Sequence, residues 1–272
     1  ALDFHDSWHG KADGRIKVFF GPHSMYLCGP EYLRETTEEA LKRKTRIHIH
    51  LSESRQEVAD CIEKFGKSPV QHLADLGMFE CRTAAAHCVH VSTEDIELLE
   101  KHKVSVLNNP TSNMKLANGF APIHAMLNKG INVALGTDGS ASNNNVNLFE
   151  EMHLAALVNK AVTEDAESVP ALQVIRMATI NGAKALGLEN EIGSLEVGKR
   201  ADLILLDADK PHYFPRHNPA SSIAYSAQAA DVCTVLVNGK VLMENYELKT
   251  IDVQETMQQA ELMAFDLVRR AT

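Results

Sequence analysis

The stretch that most constrains this chain runs from Val133 to Leu148, VALGTDGSASNNNVNL. Three apolar residues, Val133-Ala134-Leu135, read as a short buried strand. They run into Gly136-Thr137-Asp138-Gly139, and a Ser/Asn tract then leads into a helical pattern. A carboxylate at the end of a buried strand costs free energy unless a cation or hydrogen-bond donors meet it. In a barrel of alternating strands and helices, that end of the strand is the face that carries chemistry. Asp138 is therefore the first candidate residue. The competing reading is an Asp-Gly turn with a solvated side chain.

The same junction recurs upstream. Apolar runs at 15–20 (RIKVFF), 46–51 (RIHIHL), 83–87 (TAAAH) and 104–107 (VSVL) predict four more strands. They end at His23, at His50 and Glu53, at His87, and at Asn108-Asn109. Helical spacing is predicted over 31–44, with Leu33, Ala40 and Leu41 inward, and over 56–65, 94–102 and 122–129. It is also predicted over 148–161, with Leu148, Met152, Ala155, Ala156 and Asn159 on one face, and over 170–186. Residues 1–14 read as polar and irregular. Strand–helix alternation implies parallel strands with crossover helices.

The pattern changes near residue 190. Residues 192–207 predict strand, turn and strand, and 234–243 predict a hairpin around Asn238-Gly239. An amphipathic helix is expected over 253–270. The expected division is 1–189 for a barrel part, 190–250 for a β-sandwich segment and 251–272 for a closing helix. The fold class expected is α/β, an incomplete TIM (β/α)8 barrel with a small β-sandwich domain. A closed barrel needs eight strands, and five are legible. The chain is then a fragment, or is completed by another polypeptide, or is an open α/β sheet.

Bulk properties exclude several partners. The net charge is −9 with no Lys/Arg cluster, which argues against nucleic acid and anionic membrane surfaces. No apolar run approaches the roughly 20 residues a membrane span requires, and the first residues lack a signal-peptide pattern. The five cysteines are scattered without a C-x-x-C, as expected of reduced thiols in a cytoplasmic protein.

Histidines and carboxylates therefore carry the functional argument. His48 and His50 alternate on one strand, Glu53 lies just past it, His87 and His90 close and follow the next, and Asp138 ends the last. Such a convergence suggests one divalent metal, zinc first, with iron or manganese as alternatives. A metal of this kind brings bound water near neutral pKa, and a neighbouring carboxylate can then move its protons. Strand alternation turns Cys88 to the opposite face as a packing residue. Glu150 and Glu151 read as solvated or helix N-terminal carboxylates.

The segments GPHSMYLCGPEYL, HIHLSES, AHCVH, NNPTSNMKLANGFAPIHAML, LGTDGSASNNNVNLFEEMHLAALV and GSLEVGKRADLILLD resemble the amidohydrolase superfamily. More narrowly, they resemble its branch of S-adenosylhomocysteine/5′-methylthioadenosine deaminases, close to the triazine chlorohydrolases. The resemblance implies that the visible strands are the fourth to the eighth of the barrel. It makes His50 and Asp138 metal ligands and Glu53 the proton shuttle, which also contacts substrate. It makes His87 the group that holds the attacking water or the developing oxyanion, and His23 a contact to the nucleoside. His48 falls where the family shows no ligand. The activity implied is hydrolytic deamination of an adenine nucleoside by metal-hydroxide attack at purine C6, in a cytoplasmic homo-oligomer.

One departure stands out. The family takes two further metal histidines from an H-x-H on its first strand, and nothing upstream of Arg15 resembles it; His5 and His9 are four apart. A missing N-terminal barrel segment would be needed for activity. Lys17, six residues before His23, is too far from the mouth to act as a metal-bridging carbamate, so one metal is expected. The alternatives are a guanine or triazine deaminase or chlorohydrolase on the same scaffold, a half-enzyme completed by a second chain, and a non-catalytic scaffold.

Overall fold

A computed structural model describes residues 1–271. Two sheets organise them. The first is parallel, with strands in chain order: β1 (Ile47–Leu51), β2 (Thr83–His87), β3 (Ser105–Asn108) and β4 (Val133–Leu135). Its register aligns the strand ends, pairing Leu51 with His87 and Asn108 with Leu135. Helices fill each connection, so consecutive strands lie side by side. The sheet is not closed into a barrel among the described residues.

Sequence chemistry explains the elements. Every residue of β2 is buried, and its alanines let neighbours approach from both faces. In α2 (Pro30–Arg43), Pro30 opens the helix where its missing N–H is harmless. Ser54 caps α3 (Arg55–Phe65), whereas Ser68 and Ser92 form capping boxes on α4 (Pro69–Asp75) and α5 (Thr93–Lys101). Leu33 and Ala40 face the core as expected, but Leu41 is exposed and Thr37 takes its place. Helix α9 (Leu148–Thr163) buries Met152, Ala155, Ala156 and Asn159 against the sheet.

Four expectations are corrected. The 15–20 run is no strand; only Phe20 makes a parallel bridge, to Ile47. The residues before it bond instead to the preceding turn: Ile16 to Gly10 and Lys11, and Val18 N–H to His9 Nδ1. Residues 1–14 are not wholly irregular. Leu2–Trp8 forms helix α1, and Asp6 takes a forked ion pair from Arg43. The 170–186 region is two helices, α10 (Ala171–Ala178) and α11 (Ile180–Leu186). The break at Thr179 lets the Asn181 amide reach the Val133 carbonyl at the start of β4. Within 192–207 only β5 (Leu203–Leu206) is a strand, because residues 188–200 close turns on themselves.

Strand β5 opens a second, antiparallel sheet with β6 (Val232–Val237), β7 (Lys240–Glu244) and β8 (Glu247–Leu248). The hairpin turns at Asn238-Gly239, both with positive φ, as its sequence requires. A second sandwich layer is absent among the described residues. Before β6, Asp231 is almost fully buried and accepts from Lys210, His212, Tyr213 and the Gln228 amide. The closing helix α13 (Val253–Ala271) buries none of its residues; Thr272 lies outside the described residues. Among the described residues, no helix is long and apolar enough to cross a membrane.

Candidate functional site

The C-terminal ends of β1, β2 and β4 bring the expected residues together. One ligand atom each from His50, His87 and Asp138 lies within 4.8 Å of the others. The sequence reading gave His50 and Asp138 as ligands and His87 a different task; in space His87 joins the same cluster. Its ring stacks on that of His50 at 5.4 Å, and His23 stacks on the other side at 4.5 Å.

Hydrogen bonds set what each group offers. His50 Nδ1 lies 2.8 Å from the His23 carbonyl, so Nδ1 carries the proton and Nε2 keeps a free lone pair. His87 Nδ1 lies 2.8 Å from Asn113 Oδ1 and 3.4 Å from Asn109 Nδ2; the shorter contact makes Nδ1 the donor, the same tautomer as in His50. Asp138 Oδ2 accepts from Ser112 Oγ at 2.6 Å and Ser142 Oγ at 2.7 Å, leaving Oδ1 clear of both hydroxyls. Partial burial pushes the Asp138 carboxyl up, but these hydroxyls, the Gly139 N–H and His87 outweigh it and hold it below its ordinary value. Three lone-pair groups thus converge with no donor among them. That donor set, two imidazoles and a carboxylate with engaged outer atoms, fits a divalent cation.

Glu53 lies beside this cluster. Its Oε2 is 3.8 Å from His87 Nε2, and its Oε1 accepts from Asn118 Nδ2 at 2.9 Å. Below it, the buried Glu57 carboxylate accepts from the Ser52 and Glu53 amides at 2.9 and 2.7 Å. Burial pushes the Glu57 carboxyl up. Ser52, His87 and Asp138 all have positive φ, at 49°, 74° and 62°. Non-glycine residues rarely adopt this conformation, and it is retained where the surroundings over-determine it. Here it turns three adjacent chain segments sharply at the sheet's edge. Gly136 has its own reason: a Cβ there would stand 2.4 Å from Asn109 Oδ1.

Other candidates fall outside the cluster. His48 packs edge-on to His50 at 5.9 Å, and burial pushes its pKa down. His90 donates from the loop to the Asn118 carbonyl. Cys88 is buried against the core, as expected, and all five cysteines are free thiols. Lys17 is solvent-exposed. Glu150 and Glu151 both lie in the first turn of α9, as the helix N-terminal reading has it; Glu150 is partly exposed, but Glu151 is fully buried, which rules out the solvated reading for it. It accepts from Thr111 N–H and Asn143 Nδ2, and a helix N-terminal position gave no sign of that. Asn113, Asn118, Ser112 and Ser142 were also missed, although all lie in the segments that carry the resemblance. The tasks of Asn113, Ser112 and Asn118 depend on contacts across 26 to 65 residues of sequence, whereas Ser142 reaches Asp138 from four residues on.

The sequence profile of the amidohydrolase family matches residues 2–242. A 5-methylthioadenosine/S-adenosylhomocysteine deaminase of Thermoanaerobacter pseudethanolicus is 59% identical over 266 residues, which is 98% of this chain and 62% of that protein. A 5′-deoxyadenosine deaminase of Methanosarcina acetivorans is 48% identical over 98% of this chain and 62% of its own length. Among solved structures, a zinc-bound adenosine deaminase from Xanthomonas campestris superposes with a TM-score of 0.95 at 35% identity. It is matched over 98% of this chain and 60% of its own. A zinc complex of an atrazine chlorohydrolase from Arthrobacter aurescens gives 0.90 at 27% identity, over 96% of this chain and 58% of its own. The chain thus spans about three-fifths of the proteins it matches. With the profile covering most of its length and these identities over nearly all of it, the chain belongs to the amidohydrolase family.

Proposed function

We propose that this chain carries the catalytic strand ends of a metal-dependent hydrolytic deaminase acting on adenine nucleosides, of the 5′-methylthioadenosine and S-adenosylhomocysteine class. The observation that carries the reading is the convergence of His50, His87 and Asp138 with Glu53 beside them. The relatives named above support the substrate class.

In this reading His50 and Asp138 hold the metal, with zinc favoured by the zinc-bound structural neighbours. When bound, the metal supplies the Lewis acidity that makes water nucleophilic near neutral pH. The protein's own groups do the rest. His23 presents its ring at the mouth to the nucleoside. Glu53 takes one proton from the water and delivers it to N1 of the purine as the oxygen adds to C6. His87 orients the water and steadies the developing charge. Asp138 passes the second water proton to the exocyclic amine, the C6–N bond breaks, and ammonia leaves. The products are the 6-oxo nucleoside and ammonia, so both protons of the water are accounted for.

The parallel sheet is read as the fourth to eighth strands of a (β/α)8 barrel, with the 15–23 segment as the reduced fourth. Residues 1–189 form this part, 190–250 a segment of the β-domain, and 251–272 the closing helix. The open sheet and the three-fifths coverage support completion of barrel and metal site by further polypeptide. Five free cysteines fit a cytoplasmic setting.

The test is ammonia release by the full-length protein from 5′-methylthioadenosine, S-adenosylhomocysteine, guanine and an aminotriazine, alongside chloride release from a chlorotriazine. Turnover of the adenine nucleosides, lost on chelation and restored by metal, is expected. Turnover confined to guanine or a triazine would replace the substrate class, a reading that the similarity to the atrazine chlorohydrolase keeps in view.

A further inference from the structure

Two very short helices flank the candidate metal cluster, and neither could hold its position alone. Helix α6 (Pro110–Lys115) carries Ser112, whose hydroxyl bonds Asp138, and Asn113, whose amide oxygen lies 2.8 Å from His87 Nδ1. Helix α8 (Ser140–Asn143) carries Ser142, the second hydroxyl on Asp138. Isolated helical turns are unstable, so something must fix both against the sheet. The fully buried Glu151 carboxylate touches each. Its Oε2 accepts from Thr111 N–H in the first turn of α6 at 3.1 Å, and its Oε1 accepts from Asn143 Nδ2 in α8 at 2.6 Å. Asn143 Oδ1 in turn accepts from Val146 N–H, so the amide has both ends engaged.

We propose that Glu151 is a positioning residue, a buried clamp that sets α6 and α8 so that their side chains hold the ligand Asp138 and the water-orienting His87 in place at the cluster. The inference rests on the reading of the cluster as a metal site. Glu151 sits on α9, a sixteen-residue helix packed against α10 and β4, so the clamp ties two short elements to a long one. A buried carboxylate facing two donors and no cation is costly to keep for packing alone. Its position between the two helices that orient the cluster gives it a task. Partners beyond the ligands themselves change metal affinity or activity by about 10–100-fold when removed.

The chemistry of the clamp allows a reciprocal exchange. Glu151→Gln places an amide where Asn143 already donates, and Asn143→Asp places a carboxylate against Glu151. Each single variant therefore sets like groups against each other. Together they reverse donor and acceptor while the Thr111 and Val146 amides keep their acceptors. The experiment uses the full-length protein and measures the Zn²⁺ dissociation constant by chelator competition, kcat and KM on 5′-methylthioadenosine, and thermal unfolding. Each single variant is expected to weaken Zn²⁺ binding by about 10–100-fold and to lower kcat while KM stays near the parental value. The double variant is expected to recover most of both losses.

A single variant that unfolds earlier but keeps parental Zn²⁺ affinity and kcat overturns the clamp, as does a double variant no better than the worse single. If the singles do not fold, the double decides: folding with parental Zn²⁺ affinity supports the clamp, and failure to fold contradicts it. A parent that binds Zn²⁺ without deaminating overturns the proposed reaction alone, and the clamp is then judged on Zn²⁺ affinity. A parent that binds no Zn²⁺ overturns both.

Discussion

Two buried carboxylates, one in each half of the molecule, show how differently the halves use charge. Glu151, under the parallel sheet's edge, faces only the neutral donors Thr111 and Asn143, and burial pushes its carboxyl up. Asp231, beside the antiparallel sheet, is buried too. There the Gln228 N–H, His212, Lys210 and Tyr213 overcome the effect of burial and hold the carboxyl well below its ordinary value. Asp231 ties together neighbouring turns within its own region. Glu151 ties together the two elements that bear on the candidate site. Burial of a carboxylate therefore does not mark function by itself; what its partners go on to touch does.

Backbone strain divides the same way. The hairpin at Asn238-Gly239 uses positive φ to turn an exposed loop, whereas the cluster uses it at Ser52, His87 and Asp138, where it aims the chain ends that carry the site. Variants can break or sharpen this contrast. The largest effect is expected for His50→Ala, which removes a lone pair from the cluster. Metal retention and turnover should both be lost while the unfolding midpoint of the metal-free protein stays near parental, as elemental analysis and calorimetry would show. Retained metal would move the site elsewhere.

Next comes Asn118→Ala. Asn118 holds Glu53 Oε1, so its loss should free the proposed proton shuttle without touching a proposed ligand. A fall in kcat of about 10–100-fold with unchanged metal content is expected in steady-state assays. An unchanged kcat would mean that Glu53 needs no such restraint.

Asp231→Asn should do the opposite, leaving kcat alone and lowering stability by about 3 kcal/mol in denaturant titrations. The pH sign follows from the depressed carboxyl. Its folded value lies below the unfolded value near 4. The stabilisation is therefore complete above about pH 4 and is lost as pH falls through the folded value. The variant should flatten that acid limb. For Glu151 the displacement is upward, so its ionisation works against folding as pH rises past the unfolded value. The smallest effect is expected for exposed Lys17→Ala: within about 0.5 kcal/mol of parental stability and with the same metal content. A drop in metal content would revive the bridging carbamate.

Much of this site was legible in sequence because strand ends are local features. The apolar runs before His50, His87 and Asp138 fixed which residues would gather, since parallel strands in register bring equivalent ends together. The 15–20 run misled because alternation cannot reveal that Val18 bonds to His9 rather than to β1. Glu151 and Asn118 were illegible for another reason. Their meaning lies in partners 8 to 65 residues away, brought near only by packing of α6, α8 and α9. Helix boundaries came through within a few residues in α2, α3 and α5, where a Ser cap or a leading Pro marks them, but α4, behind Ser68-Pro69, and α6, opened by Pro110, were not read as helices because they are too short to show a periodic face. The break between α10 and α11 carried no such mark, because it follows from Asn181 reaching the β4 carbonyl.

The central claim is that Glu53 moves protons beside a metal held by other residues. Glu53→Gln in the full-length protein tests it most directly, with metal content and turnover measured on one preparation. The account predicts parental metal content and a loss of turnover of about 100- to 10,000-fold on 5′-methylthioadenosine. Near-parental turnover, or loss of the metal along with the activity, would contradict it.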